Sequence, residues 1–112
     1  MDANSRGMAM IHLLSFITAH PGKRGALLDI YRSVLPEVRQ EDGCVEITLA
    51  IDGEGFGGSQ ALLGPDTFVI VERWTSAEAM KAHMKAPHAL ATYERTKGLA
   101  ASRLLRILQS VA

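Results

Sequence analysis

The sequence is poor in the residues that mark several classes of protein. Its 112 residues include one cysteine, Cys44, which excludes an internal disulfide and is typical of a reducing compartment such as the cytoplasm. Lysine plus arginine and aspartate plus glutamate number 12 each, so no basic field is present to hold nucleic acid or an anionic membrane. No apolar run reaches transmembrane length. We therefore expect a cytoplasmic protein with neither nucleic acid nor membrane among its partners.

The beginning of the chain resembles a signal peptide only in outline. Arg6 precedes an apolar run over residues 8–19, but His12 interrupts the run and the residues after it form a poor cleavage site. We interpret residues 1–9 as a flexible tail and residues 10–112 as a single domain.

Hydrophobic spacing divides the domain into four strands and three helices. Strands are predicted over residues 10–19, 44–52, 67–74 and 103–111. The first and last of these are apolar on both alternations, which is typical of strands that are covered on both faces.

The predicted helices follow from apolar stripes and from their end signals. The first stripe runs from Leu27 to Val38, with a kink or a restart expected at Pro36 and an end at Gly43. The second helix is predicted to begin at a capping box and to break at a proline, and the third to close at a glycine. The residues that give these signals are Thr75 and Glu78, then Pro87, then Lys97 and Gly98.

This order of elements, β-α-β-β-α-β, predicts an α+β fold, the ferredoxin-like plait. Its helices can cover only one face of the four-stranded sheet, yet the outer strands present apolar side chains on both faces. A bare apolar face of that size indicates an interface. We therefore expect a homodimer in which two sheets pack face to face as a dimeric α/β barrel.

A glycine-rich stretch follows the second strand. Gly53, Gly55 and Gly58 satisfy the G-x-G-x-x-G pattern of dinucleotide-binding sites. That site needs a helix directly after the pattern, and residues 59–65 are too short and too rich in turn formers to supply one. We interpret the stretch as a mobile loop that can act as a lid.

The residues that carry candidate chemistry lie at the junction of the third strand and the second helix. Glu72 and Trp74 share one side of the strand because side chains alternate along it. His83 then has two interpretations: a core histidine satisfied by one hydrogen bond, or a base whose tautomer Glu72 holds. Trp74 likewise either fills the core or forms a stacking wall for an aromatic ligand.

The remaining candidates are weaker. His88 either caps a helix or points into the mouth of a pocket, and Tyr93 either donates its hydroxyl to the same cavity or packs on the core. No metal-ligand spacing such as H-E-x-x-H is present, so no metal is expected. Cys44 begins a strand and is expected to be an inert buried thiol.

Several short motifs, taken in order, resemble the antibiotic biosynthesis monooxygenase family. The segment from Glu41 to Cys44 is similar to an E-x-G-C signature, and the segment from Glu72 to Ser76 to an E-x-W-x-S signature. Ala79, His83 and the pair Pro87-His88 follow at matching positions. The closing residues 106–109 and the glycine-rich loop are most similar to the bacterial quinol monooxygenase branch. The resemblance spans residues 10 to about 111.

The resemblance implies a dimeric enzyme that oxygenates a quinol, an anthrone or a polycyclic phenol with O2 and no cofactor. Once deprotonated, such a substrate can give an electron to O2 itself, so the protein binds it, removes a proton and excludes water. On this reading His83 removes the proton, Glu72 orients His83, and Tyr93 or His88 donates to developing oxygen charge. The walls of the substrate site are then Trp74, Phe68, Met80 and Met84.

The sequence departs from the family pattern at two places. Ile47 stands where an aromatic side chain is often found, and residues 89–98 contain no histidine to ligate haem iron, which argues against haem degradation.

A non-catalytic dimeric module, binding a small molecule or associated with stress, remains an alternative. An isomerase that uses His83 and Glu72 on the same fold is another.

Overall fold

The computed structural model describes residues 9–112, and most of the predicted tail, residues 1–8, lies outside the described residues. Seven main elements follow one another along the chain. They are β1 (Ile11–Ala19), α1 (Arg24–Arg39), β2 (Cys44–Ala50), β3 (Thr67–Trp74), α2 (Ala77–Lys85), α3 (Pro87–Thr96) and β4 (Ala100–Gln109). A short 3-10 turn, Gly57–Ser59, lies in the loop between β2 and β3. Among these helices none has the length and apolarity needed to span a bilayer.

The strands form one antiparallel sheet in the order β2-β3-β1-β4. The two strands that begin and end the described chain are therefore neighbours, and β2 and β4 lie at the edges. This order and the placement of the helices confirm the predicted ferredoxin-like α+β plait.

The register of the sheet decides which side chains face the helices. Leu13 on β1 pairs with Glu72 on β3 and with Ile107 on β4, so all three point to the same side. The buried core lies on that side, between the sheet and the helices. It includes Ile11, Leu13, Ile17, Leu27, Leu28, Val38, Ile47, Phe68, Ile70, Trp74 and Met80.

Two helix signals differ from their predicted form. Of the two alternatives predicted at Pro36, a kink or a restart, the restart is wrong: helix α1 runs continuously through the proline, because its apolar stripe packs on the sheet both before and after it. The capping prediction at Thr75 is wrong by one residue. Ser76 is the N-cap of α2, and its hydroxyl oxygen accepts a hydrogen bond from the Ala79 N–H at 3.1 Å. The N–H of Thr75 is instead used by the Gly43 carbonyl, at 2.9 Å.

Gly43 holds the turn between α1 and β2 against the start of α2. Its φ is +82°, and a Cβ at this position would lie 2.5 Å from the Ala79 Cβ and 2.8 Å from the Thr75 hydroxyl. Only glycine fits both the left-handed backbone and the contact with α2. The turn that carries Glu41 is therefore fixed close to the helix that carries His83.

Hydrogen bonds join the two ends of the loop between β2 and β3, which was predicted to be mobile. The Asp52 carboxylate accepts hydrogen bonds from the N–H groups of Leu63 and Gly64, at 2.8 and 2.9 Å. These two bonds lower the pKa of Asp52, because they favour the charged form. Arg24 also donates to the Gly64 carbonyl at 3.3 Å.

Candidate active site

Two histidines from neighbouring helices meet one carboxylate at the end of the sheet. His83 lies on α2, His88 begins α3, and Glu41 lies in the turn after α1. A single oxygen, Glu41 Oε2, lies 2.7 Å from His83 Nδ1 and 2.8 Å from His88 Nε2. An ionised carboxylate only accepts hydrogen bonds, so both ring nitrogens that face it carry a hydrogen. When His83 donates from Nδ1 in this way, Nε2 is the ring nitrogen that is left to accept a hydrogen.

A second carboxylate, Glu72, lies on the other side of His83. Glu72 is 4 % exposed, and its Oε1 accepts a hydrogen bond from the indole N–H of Trp74 at 2.9 Å. The same oxygen lies 3.7 Å from His83 Nε2, beyond hydrogen-bonding distance. Burial raises the pKa of Glu72, although the Trp74 hydrogen bond and the nearby His83 act in the opposite direction.

The ring of His83 is also held by stacking. Its centroid lies 4.8 Å from that of Trp74, with 28° between the planes. Trp74 thus contacts the flat face of the imidazole while its N–H fixes the adjacent Glu72 carboxylate. The indole, the two carboxylates and the turn at Gly43 together leave His83 one orientation.

A cavity of about 410 Å³ opens next to this group, between the helix side of the sheet and the three helices. This volume lies within the range of small-molecule sites. Polar side chains from His83, Glu72 and His88 reach it at one end. Its aliphatic wall is formed by Leu13, Ile17, Val34, Leu35, Val38, Ile47, Ile70, Met84 and Leu105.

The other polar end of the cavity is built around Arg103. Its guanidinium donates to the Tyr31 hydroxyl at 3.0 Å and to the Thr96 hydroxyl at 2.8 Å, and it lies 5.2 Å from the ring centroid of Tyr93. Arg103 pairs with Ile17 on β1, whereas Glu72 pairs with Leu13. Four residues of extended strand separate those positions, or about 13 Å. The cavity is therefore elongated, with a polar group at each end.

The residues predicted from sequence fall into two groups. Five of them line the cavity: Glu72, His83, Met84, His88 and Tyr93. Three others are buried in the core between the sheet and the helices and do not line the cavity: Phe68 and Trp74, both fully buried, and Met80, 4 % exposed. Phe68 packs edge-on against Tyr31 at 5.7 Å.

Glu72 was predicted to be the carboxylate that orients His83, but Glu41 is the one that forms the hydrogen bond. The hydrogen-bond partner of His83 is Glu41, which the E-x-G-C pattern contained but which no spacing rule joined to a histidine 42 residues later. Arg103 was also missed, since it stands alone in an apolar strand. Its pairing with Ile17, a buried helix-side residue, is visible only in the sheet register.

Comparison with known proteins identifies the class of protein that this fold and site define. Residues 10–95 match the model of the family described as "Antibiotic biosynthesis monooxygenase". The chain therefore belongs to the antibiotic biosynthesis monooxygenase family, as its motifs predicted.

One curated relative is similar along almost its whole length. It is named "Probable quinol monooxygenase YgiN", from Escherichia coli (strain K12). The two sequences are 33% identical over 102 residues, which are 89% of this chain and 97% of the relative.

Solved structures show the same fold. PA3566 from Pseudomonas aeruginosa has a TM-score of 0.76 at 24% identity, covering 95% of this chain and 98% of its own. Rv0793 from Mycobacterium tuberculosis has a TM-score of 0.76 at 21% identity, covering 92% and 96%. At these identities the likeness concerns the fold and not the reaction.

Proposed function

We propose that this protein is a cofactor-independent monooxygenase that oxidises a quinol, or a related polycyclic phenol or anthrone, with O2. The observation that carries the proposal is the position of His83, held between two carboxylates at one end of an elongated cavity with aliphatic walls. The family and the quinol monooxygenase name of the E. coli relative support the same reaction class.

The overall reaction balances without any further reactant. A quinol and O2 give a ring-hydroxylated quinone and water. One oxygen atom replaces the hydrogen of a ring C–H bond with a hydroxyl group, and the other leaves as water, with a net loss of two hydrogens from the quinol. The substrate supplies all four electrons that reduce O2. An ionised quinol is electron-rich enough to begin this transfer itself, so the protein has to supply a base and a dry site.

His83 is the base in this proposal. Glu41 accepts the hydrogen on Nδ1 and so holds Nε2 free to remove a hydroxyl proton from the substrate. The imidazolium that results lies between Glu41 at 2.7 Å and Glu72 at 3.7 Å, and their negative charge stabilises it. Glu41 is a positioning residue, because it acts through His83.

The far end of the cavity binds the second oxygen of the substrate. Arg103 uses hydrogen bonds to Tyr31 and Thr96 to hold its guanidinium in place, and the guanidinium has further N–H donors. With Tyr93 beside it, Arg103 stabilises oxygen charge that develops as the ring gives up electrons. An elongated bicyclic or tricyclic substrate is the shape that reaches both ends.

We also propose that the protein is a homodimer. The open face of the sheet carries Leu14, Phe16, Val71, Leu104 and Leu108, and Leu104 and Leu108 are 52% and 49% exposed. An apolar face of this kind on a domain of 112 residues is best buried against a second copy. Two sheets packed in this way form a dimeric barrel.

Oxygen uptake tests the proposed reaction. Purified protein is mixed with a naphthoquinol such as menadiol, and the rate of spontaneous autoxidation is subtracted. We expect one O2 consumed per quinol, with no O2 returned when catalase is added. Uptake no faster than autoxidation contradicts the proposal. A rise in melting temperature without turnover favours a binding module, and conversion of a substrate in the absence of O2 favours an isomerase.

A further inference from the structure

We infer that Glu41, His83 and His88 form a binding site for a divalent first-row transition-metal ion, with Zn²⁺ and Ni²⁺ as its best-suited occupants. The inference goes beyond the proposed function and rests on the geometry of these three side chains and of the carboxylates beside them. Their ligating atoms, one from each residue, all lie within 4.8 Å of one another.

The three groups match the ligands that these ions prefer. Two imidazoles and one carboxylate bind zinc in many sites that keep one position open for water or substrate. Imidazole nitrogen also suits nickel and copper, whereas magnesium and calcium prefer oxygen ligands. Ligand atoms about 2.1 Å from a tetrahedral zinc lie about 3.4 Å apart. The present separations of 2.7 and 2.8 Å have to widen by roughly 0.6 Å to reach that spacing.

A carboxylate also lies near the second ring nitrogen of each histidine, and this second shell supports the inference independently. His83 Nε2, the nitrogen turned away from Glu41, lies 3.7 Å from Glu72 Oε1. His88 Nδ1, likewise turned away from Glu41, lies 3.4 Å from Glu37 Oε2. Histidines that bind metals almost always direct their other ring nitrogen at a carboxylate, a carbonyl or water, which fixes the tautomer needed for binding.

Metal binding requires each ring to exchange its tautomer. In the metal-free protein the hydrogens on His83 Nδ1 and His88 Nε2 point at Glu41. In the metal-bound protein those nitrogens are ligands, and the hydrogens move to the nitrogens that face Glu72 and Glu37. Glu37 lies 3.4 Å from its nitrogen, whereas Glu72, at 3.7 Å, has to move closer before it can accept a hydrogen bond. His83 and His88 also line the cavity, which gives an ion and a water ligand a route to the site.

A consequence links this site to the proposed reaction. With a metal on Nδ1, the His83 hydrogen sits on Nε2, so this ring no longer accepts a substrate proton. If the proposed function is right, metal occupancy and proton removal by His83 exclude one another. The binding measurement itself needs no substrate, so its outcome is independent of the outcome of the oxygenation assay.

The test is titration of the metal-free protein with Zn²⁺ and with Ni²⁺ by calorimetry near neutral pH, after treatment with EDTA. We expect one ion per chain. Glu37→Gln should weaken binding about 10-fold as a second-shell change, and Glu41→Gln more than about 100-fold as the loss of a ligand. The exposed carboxylate Glu94 provides the matched control, because Glu94→Gln removes the same charge from α3 outside the site. Binding should also weaken at acid pH, since protons compete for the imidazoles.

His88→Ala is a second ligand variant, to be used if Glu41→Gln does not fold. If Glu41→Gln loses its circular dichroism or its cooperative unfolding, His88→Ala takes its place, since His88 lies at the cavity and contributes no core packing. Absence of saturable binding to the wild type at millimolar metal overturns the inference. Binding that survives unchanged in Glu41→Gln or His88→Ala also overturns it, because the ion is then elsewhere.

Discussion

His83 Nδ1 and Glu41 Oε2 lie 2.7 Å apart, although 42 residues separate them in sequence. The contact joins α2 to the turn after α1, across the end of the sheet. It sets which nitrogen of His83 donates to Glu41, and so which nitrogen is left to act as a base. The proposed reaction and the proposed metal site both depend on this pair.

Replacing Glu41 tests the positioning of His83. Glu41→Gln keeps the size of the side chain but removes its charge and replaces one acceptor oxygen with an NH2 donor, so His83 Nδ1 loses its charged partner. We expect kcat for quinol oxygenation to fall about 100-fold or more with little change in KM, because the base loses the charge that orients it while the cavity is unchanged. Steady-state kinetics over a range of pH measures this.

Glu94→Gln is the control for that replacement. Its carboxylate is exposed on α3 and pairs with Lys97, away from the cavity. We expect wild-type kinetics for it. A Glu41→Gln protein with wild-type kcat and an unchanged pH profile would remove Glu41 from the account.

Gly43 is predicted to be necessary for both the turn and the site. Gly43→Ala places a Cβ 2.5 Å from the Ala79 Cβ at a φ of +82°, so α2 has to move or the turn has to open. We expect a loss of at least about 1–2 kcal/mol in the free energy of unfolding from the backbone alone. Urea denaturation measures it. Gly22→Ala is the matched control, since its φ is +79° and no atom lies near its Cβ. Equal losses in the two variants would show that the contact with α2 contributes nothing.

The sequence was sufficient for the fold, and the reason lies in its periodicities. The alternating apolar residues in β2, the apolar run in β3 and the stripe in α1 each give one local answer, and their order leaves few ways to arrange a sheet. The end signals were less decisive. Thr75 and Ser76 are both good N-cap residues, and the hydrogen bond from the Ala79 N–H to the Ser76 hydroxyl shows that Ser76 is the one used.

Only the residues of the site that lie close together in sequence could be predicted to meet. Glu72, Trp74 and His83 lie within 12 positions of one another, so strand alternation and a helix start bring them close. Glu41 and Arg103 come from distant segments, and their roles depend on a turn and on a sheet register that no single pattern encodes.

Cys44 is predicted to be a poor nucleophile at neutral pH. Burial raises the pKa of its thiol above the ordinary value of 9.0, and the nearby Glu72 and Glu41 raise it further. The folded protein holds this proton more tightly than the unfolded chain. Its contribution to stability is therefore present below pH 9.0 and is lost as the pH rises through the raised pKa.

Alkylation with iodoacetamide, followed by mass spectrometry, measures this. We expect the folded protein to react more slowly at pH 8 than the same protein unfolded in urea, with a midpoint above 9.0 in its pH profile. Faster reaction of the folded protein would contradict the account.

The open face of the sheet is predicted to hold the dimer together. Light scattering should give the wild type twice the 12.1 kDa mass of the chain. Leu108→Glu puts a charge on this face and should give a monomer, because burying an unpaired carboxylate costs more than the interface returns. Leu90→Glu, on an exposed position of α3, is the control and should stay dimeric. A monomeric wild type, or a Leu108→Glu dimer, would place the interface elsewhere.

Oxygen labelling is the most direct test of the central claim, that this site inserts one atom of O2 into a quinol. The reaction is run under ¹⁸O2 in unlabelled water, and the product is analysed by mass spectrometry beside a His83→Ala sample and a sample without protein. The account predicts a hydroxylated quinone with one ¹⁸O atom in the wild-type sample and none above background in the other two. A product without label, or labelled product from His83→Ala at the wild-type rate, would contradict it.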